Sequence, residues 1–436
     1  MFFVILYLDS DNRRHIVSIN KPKSERLRRF IASLLLSTSV LTASLFSTNN
    51  VRACTPSNDN GNPKSRSSCV ADAFNKNSNT TFFTANDSTS YPDFFDDYTF
   101  TTQAEEDVDP SVKPLWQNMQ TLKNSETIIG PSLAKFSEIE DVTYHYANRS
   151  NLYGEWISHE SAAYINSQLP IAFQLLVQVH ETLHGMQYHN DVNTTDVTRS
   201  IRETQMEQLS CEAAAMVSGY LMAIELAQDS ITDPWKNLRK IDTARADQIL
   251  AIWDSLKTLS LPYQQALTET GFIAFHQQFK QQWWLDSYNQ GYLLKYLDMT
   301  INGEMASLNE KRFTLSNARK TGYVSPKFNF TAQLKSLPSK NSLFGKDTRM
   351  RWAFDCAELY RVKKTGGKNS ALYQSMKEYM EEQGNPYLEL NMKKVFVGYR
   401  FWGGFMSLLD FMDGMKDGTI KVTIPPKSNR QYFPSK

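Results

Sequence analysis

His180-Glu181-Thr182-Leu183-His184 lies in the middle of an apolar run, and it constrains the fold more than any other stretch of this 436-residue chain. Positions i and i+4 of an α-helix lie one above the other on the same face, so both imidazoles reach one point in space. Glu181, beside His180, is close enough to touch a water held at that point. The run itself reads as helix. Leu175, Leu176, Val179, Leu183 and Met186 follow the spacing of one buried stripe, and Pro170 stands where a helix can begin.

H-E-x-x-H supplies what a zinc hydrolase needs: two nitrogen ligands, an open coordination position and a base beside it. A tetrahedral site of this kind takes a third protein ligand. In one extended form of the motif it is a histidine six residues on, but that residue is Asn190, and no Gly-Thr-x-x-Asp segment follows. A glutamate on a following helix is the remaining pattern. Ser200 to Gln228 reads as a second long helix, striped by Met206, Leu209, Ala213, Met216, Val217, Tyr220, Leu221 and Ile224. Glu203, Glu207 and Glu212 lie on it and face different ways, since about 100° separates successive residues. Glu212 precedes Ala213-Ala214-Ala215, small residues that let two helices approach closely. In such apolar surroundings a carboxylate needs either a metal or an ion-pair partner. Glu203 and Glu207 read as solvated charges.

The segments H-E-T-L-H-G-M-Q, E-A-A-A, A-L-T-E-T-G-F-I-A-F-H-Q-Q-F and W-W-L-D-S-Y together resemble a family of uncharacterised bacterial zincin-like metallopeptidases, over roughly residues 140–300. The resemblance implies His180, His184 and Glu212 as zinc ligands and Glu181 as general base. Two positions depart from the family's pattern: Gly185 stands where alanine is usual, and Ala214 where aspartate is usual. That aspartate would orient a ligand from behind.

The expected fold is mainly α with a small β component (α+β): a zincin-like metallopeptidase domain over 111–305, then a loop-rich connection and helical C-terminal region over 306–436. Short β-rich pieces lie between Val142 and Ile165. Ala162 to Asn166 is the candidate strand bordering the cleft, where an extended peptide would add as a further strand. Helical patterns follow at about 243–260 and 262–297. Tyr188, His189, Tyr220, His276, Tyr288 and Tyr292 are available as oxyanion donors.

The N-terminus points to export. Arg26, Arg28 and Arg29 precede an apolar stretch from Phe30 to Phe46, and Val51-Arg52-Ala53 suits a signal peptidase, so 1–53 reads as a signal peptide. Cleavage there leaves Cys54 first, which also admits a lipoprotein, and leaves no stable membrane span. Residues 54–110 are a polar, disordered-type linker. Four cysteines suit an oxidising compartment. Cys54 with Cys69, and Cys211 with Cys356, are the candidate disulfides, a buried inert thiol being the alternative for the second pair. A net charge of +1 gives no electrostatic case for nucleic acid.

These features define the expectation: an exported, periplasmic, cell-surface or secreted zinc peptidase acting on a peptide or protein substrate. The first alternative is a catalytically inactive zincin-like envelope protein with a binding or structural role. A di-iron bundle, suggested by Glu181-x-x-His184, requires a second E-x-x-H on another helix, and none follows.

Overall fold

The computed structural model describes residues 108–147, 153–192, 199–305, 312–339, 342–402 and 406–424, with three strands at 3–8, 14–19 and 99–100. The apolar segment Phe30–Phe46, most of the linker, and Cys54 and Cys69 lie outside these residues. The chain divides into two units. In the smaller one (1–81, 397–406 and 410–436), β1 (Phe3–Leu8) and β2 (Arg14–Ile19) pair antiparallel, and β2 pairs in turn with Ile420–Thr423. Both early strands fall within the span assigned to a signal peptide.

The larger unit (82–396 and 407–409) is mostly helical. Its sheet has β3 (Thr99–Phe100), β4 (Thr143–Ala147), β5 (Gly154–Ile157) and β6 (Ala162–Asn166), in the order β3-β4-β6-β5. β6 runs parallel to β4 and antiparallel to β5. The strand expected to receive a peptide is therefore an inner strand. β6 has both edges paired and all five residues buried, and among the described residues β5 pairs with β6 alone. Alternation in sequence cannot distinguish an inner strand from its neighbour at the edge.

Two helices, α1 (Lys113–Asn124) and α2 (Ile129–Ile139), precede the sheet, and α3 (Ile171–His189) and α4 (Ile201–Gln228) follow it. The expected stripe of α3 is buried, but so is every residue from Phe173 to Gln187. Polar partners make this total burial tolerable. Asn118 of α1 donates to Gln178 Oε1 (2.8 Å), and Gln178 donates to the Leu115 carbonyl (3.1 Å). The Tyr144 hydroxyl of β4 bridges Ser137 (2.7 Å) and Thr182 (2.8 Å), gripping the H-E-x-x-H segment from the sheet side.

α4 is apolar and long enough to cross a membrane, yet 89% of its most apolar window is buried inside the molecule. It is the central helix of the core. Ser200 caps its start by accepting from Glu203 N (3.2 Å). Near its other end Glu225 accepts from Ile128 N (2.8 Å) and Ile129 N (3.1 Å), placing a negative group at the start of α2. Burial pushes the Glu225 carboxyl up to about 7, against those hydrogen bonds.

Beyond α4 come α5 (Asp233–Ile241), α6 (Thr243–Thr258), α7 (Tyr263–Gln278) and α8 (Gln282–Asn302). The single helical pattern expected at 262–297 is thus two helices. No glycine or proline marks the break. There Phe279 packs edge-on against Trp284, with centroids 5.8 Å apart. The connection that follows carries α9 (Leu315–Lys320) and a hairpin of β7 (Tyr323–Ser325) and β8 (Phe328–Asn329). Then come α10 (Thr348–Gly366), α11 (Ala371–Glu382), α12 (Met392–Trp402), α13 (Leu408–Lys416) and β9 (Ile420–Thr423). α10 anchors the start of α4: Glu358 accepts from Ile201 N (2.8 Å), and Asp355 pairs with Arg202.

Cys211 and Cys356 are both buried and in no disulfide, so the bridge considered between them does not form. The Cys356 thiol faces Asn385 Oδ1 at 3.8 Å, and burial raises its pKa well above the usual thiol range. Spacing along a chain does not reveal which way two buried thiols point.

Candidate metal centre

α3 and α4 lie antiparallel, as three contacts show. Gln187 reaches the Cys211 carbonyl, the histidines meet Glu212, and Gly219 lies nearest the Leu176 carbonyl. This register brings His180, His184 and Glu212 together. The two Nε2 atoms are 3.1 Å apart, and Glu212 Oε2 lies 3.3 Å from that of His180 and 3.5 Å from that of His184. A tetrahedral ion bound at about 2.0–2.1 Å sets its ligand atoms about 3.3–3.4 Å apart. Three Lewis-basic atoms at this spacing form a donor set that fits a metal ion. A Glu181 carboxylate oxygen lies within 4.8 Å of ring nitrogens of both histidines.

Neighbouring groups fix the orientation of each member. Gln187 Oε1 accepts from His184 Nδ1 (2.8 Å), which leaves the Nε2 lone pair facing the centre. The Gln187 amide donates to the carbonyls of Cys211 (3.0 Å) and Thr321 (2.8 Å), so it cannot flip without losing both bonds. Tyr292 of α8 donates to Glu212 Oε1 at 2.7 Å, leaving the other oxygen to the histidines. Tyr292 belongs to an i, i+4 ladder with Tyr288 and Tyr296, ring centroids 6.1 Å apart on either side. Lys295 Nζ stands 5.9 Å from the Tyr292 ring centroid.

Burial and charge act against each other here. Burial alone would raise Glu212, but the facing imidazoles hold it well below the ordinary carboxylate range. Burial would lower His184, and the Glu212 carboxylate more than offsets this, lifting it to about 9. His180 is lowered by burial despite the same carboxylate. Burial pushes Glu181 up to about 8.

The other two candidate glutamates of α4, Glu203 and Glu207, have partners elsewhere. Glu207 is fully buried and pairs with Arg199, and Glu203 accepts from Phe313 N (3.0 Å). Neither is the solvated charge expected, because α4 is packed around its whole circumference. Among the other donor candidates, His189 pairs with Glu140 (3.2 Å), Tyr188 is exposed, and His276 packs edge-on against Phe272. Gln187 had a sequence signal: it lies three residues after His184, on the same helical face.

Two glycines let β5 approach α3. A Cβ on Gly154 would lie 2.7 Å from Glu181 Oε1, so only a bare backbone fits over that carboxylate. At Gly185 a Cβ would meet the Trp156 ring at 2.7 Å. The departure from alanine at 185 therefore has a packing reason. Gly185→Ala is expected to destabilise the protein by about 1–3 kcal/mol through overpacking. Thermal melting of the variant measures this, and an unchanged melting temperature would show that Trp156 yields freely.

Residues 105–310, just under half of the chain, match the model of a family described as Putative metallopeptidase family (DUF6782). That segment contains His180, Glu181, His184, Glu212 and Tyr292, and the resemblance read from the sequence is to such a family. No curated protein and no solved structure matches the chain.

Proposed function

We propose that the chain is an exported zinc-dependent peptidase of the zincin type. The observation that carries this reading is the convergence of His180 Nε2, His184 Nε2 and Glu212 Oε2 at 3.1–3.5 Å, with the Glu181 carboxylate beside them. His180, His184 and Glu212 hold the metal, and Glu181 is the general base. A bound zinc ion supplies a Lewis acid that polarises a carbonyl and acidifies water. Glu181 takes the proton of the attacking water and passes it to the leaving amine. Gln187 keeps the His184 ring in place, and Tyr292 holds the spare oxygen of Glu212.

The substrate is a peptide in extended form, added as a further strand beside β5, which among the described residues pairs with β6 alone and whose Gly154 backbone lies against Glu181. The direct test is metal analysis of the purified protein together with a peptide-library digest. Zinc near one equivalent and metal-dependent cleavage support the reading; a protein that holds no metal and cleaves nothing defeats it.

Export has its own test. Mass spectrometry of the periplasmic or secreted protein should find Cys54 as the first residue, after cleavage behind Ala53. Such cleavage would also remove β1 and β2 from their sheet with β9. A lipid on Cys54 would make the protein a lipoprotein, and an intact residue 1 on the exported chain would sink the signal assignment.

A further inference from the structure

The donor set lies between two walls of the larger unit. On one side Gly154 of β5 lays its backbone against Glu181, and on the other Tyr292 of α8 donates to Glu212 Oε1 (2.7 Å). Lys295 stands about one helical turn beyond Tyr292, and its ammonium lies 5.9 Å from the Tyr292 ring centroid. The ring that steadies Glu212 therefore also carries a cation. The carboxylates that act on Lys295 come from both walls. Glu155, next to Gly154 on β5, acts most strongly, then Glu212, then Glu304 just past the end of α8.

None of the three satisfies the ammonium. Among the described residues no carboxylate forms an ion pair with Lys295. Glu212 is committed to the two imidazoles and to Tyr292. Glu304 is exposed, so water screens it. Lys295 is itself half-buried, and burial holds its pKa below the usual lysine range in spite of all three carboxylates. An ammonium taken partly out of water and left short of a counter-charge gains from an incoming carboxylate.

We propose that Lys295 receives a carboxylate of the substrate, held across the cleft from β5 and a few residues from the bond that is cleaved. The proposal rests on the peptidase reading. From the ammonium to the donor set the path crosses one tyrosine side chain, a span of roughly two to three extended residues. The carboxylate is either the substrate's C-terminus, in which case the enzyme trims short pieces from chain ends, or an acidic side chain near the cut. Both present the same pair of oxygens to an ammonium.

The test uses the full zinc-loaded chain and its Lys295→Gln, Lys295→Glu and Lys295→Arg variants, each first matched to the parent in zinc content and melting temperature. One set of peptides shares a cleaved bond and ends one, two or three residues beyond it, as free acids or as amides. A second set, all amides, carries Glu, Gln or Lys at those positions. The parent should cleave the carboxylate member of at least one pair with kcat/KM at least about 10-fold higher, the difference lying in KM. A free-acid preference places the carboxylate at the C-terminus, and a Glu preference places it on a side chain. Lys295→Gln should bring that ratio close to one, Lys295→Glu should reverse it, and Lys295→Arg should keep it. A third arm follows peptides N-methylated at the cleaved bond by ligand-observed NMR, where the carboxylate form should bind more tightly to the parent but not to Lys295→Gln. Equal cleavage of both forms by the parent, or a preference unchanged in Lys295→Gln, overturns the proposal and leaves the peptidase reading standing. So does a loss of kcat shared equally by every peptide, since Lys295 would then act on the reacting carbonyl. If the N-methylated acid binds through Lys295 but no peptide is cleaved, the peptidase reading fails, and the assignment of the carboxylate to a substrate fails with it.

Discussion

Zinc-loaded Glu181→Gln is expected to bind its metal as tightly as the parent chain and to cleave peptides about 10²–10⁴-fold more slowly. The substitution leaves His180, His184 and Glu212 untouched and nearly preserves the side chain's volume beneath Gly154. It removes the carboxylate proposed to accept a proton from water and return it to the leaving amine. An amide does neither. Metal content by atomic absorption and kcat on a single peptide measure the two halves of the expectation. Cleavage at the parental rate would remove Glu181 from the mechanism, and loss of metal would make it a ligand instead.

The second large effect separates three glutamates on one helix. Glu212→Ala should weaken zinc binding by more than the roughly 10–100-fold typical of losing an outer partner of a metal ligand. Glu207→Ala and Glu203→Ala should leave the affinity nearly unchanged. Glu207→Ala should still harm the protein, by about 3–5 kcal/mol, because Arg199 would remain buried without its carboxylate. A zinc titration and a thermal melt on each variant give opposite patterns for 212 and 207. Wild-type affinity in Glu212→Ala would move the third ligand elsewhere and break the correspondence with the family's second segment.

The i, i+4 spacing and the apolar stripe made α3 readable, and the position of the H-E-x-x-H on it needs only helix geometry. The mainly helical class with a small sheet was readable for the same reason, since long periodic runs dominate the chain. Glu212 was distinguishable from Glu203 and Glu207 by its small, apolar neighbours. What the sequence did not show depends on contacts between distant segments. Tyr292 stood among several equal candidates, because its bond to Glu212 spans 80 residues. The Gln187 bond to the Thr321 carbonyl spans 134. Glu203 and Glu207 read as surface charges because a helix packed on every side has no polar face to betray it. Ala162–Asn166 read as the peptide-binding strand because its pattern carries no mark of a second neighbour.

α4 is one unbroken helix of 28 residues, about 42 Å long at 1.5 Å per residue. Along it stand Glu207 with Arg199, Glu212 in the donor set and Glu225 capping α2. The same element is the middle of the core. The donor set therefore has no local unfolding mode of its own: separating Glu212 from the histidines means opening the cooperative unit that holds the larger body together. A ligand that binds only the closed form stabilises it by mass action, so zinc should slow amide exchange along the whole of α4 rather than near residue 212 alone.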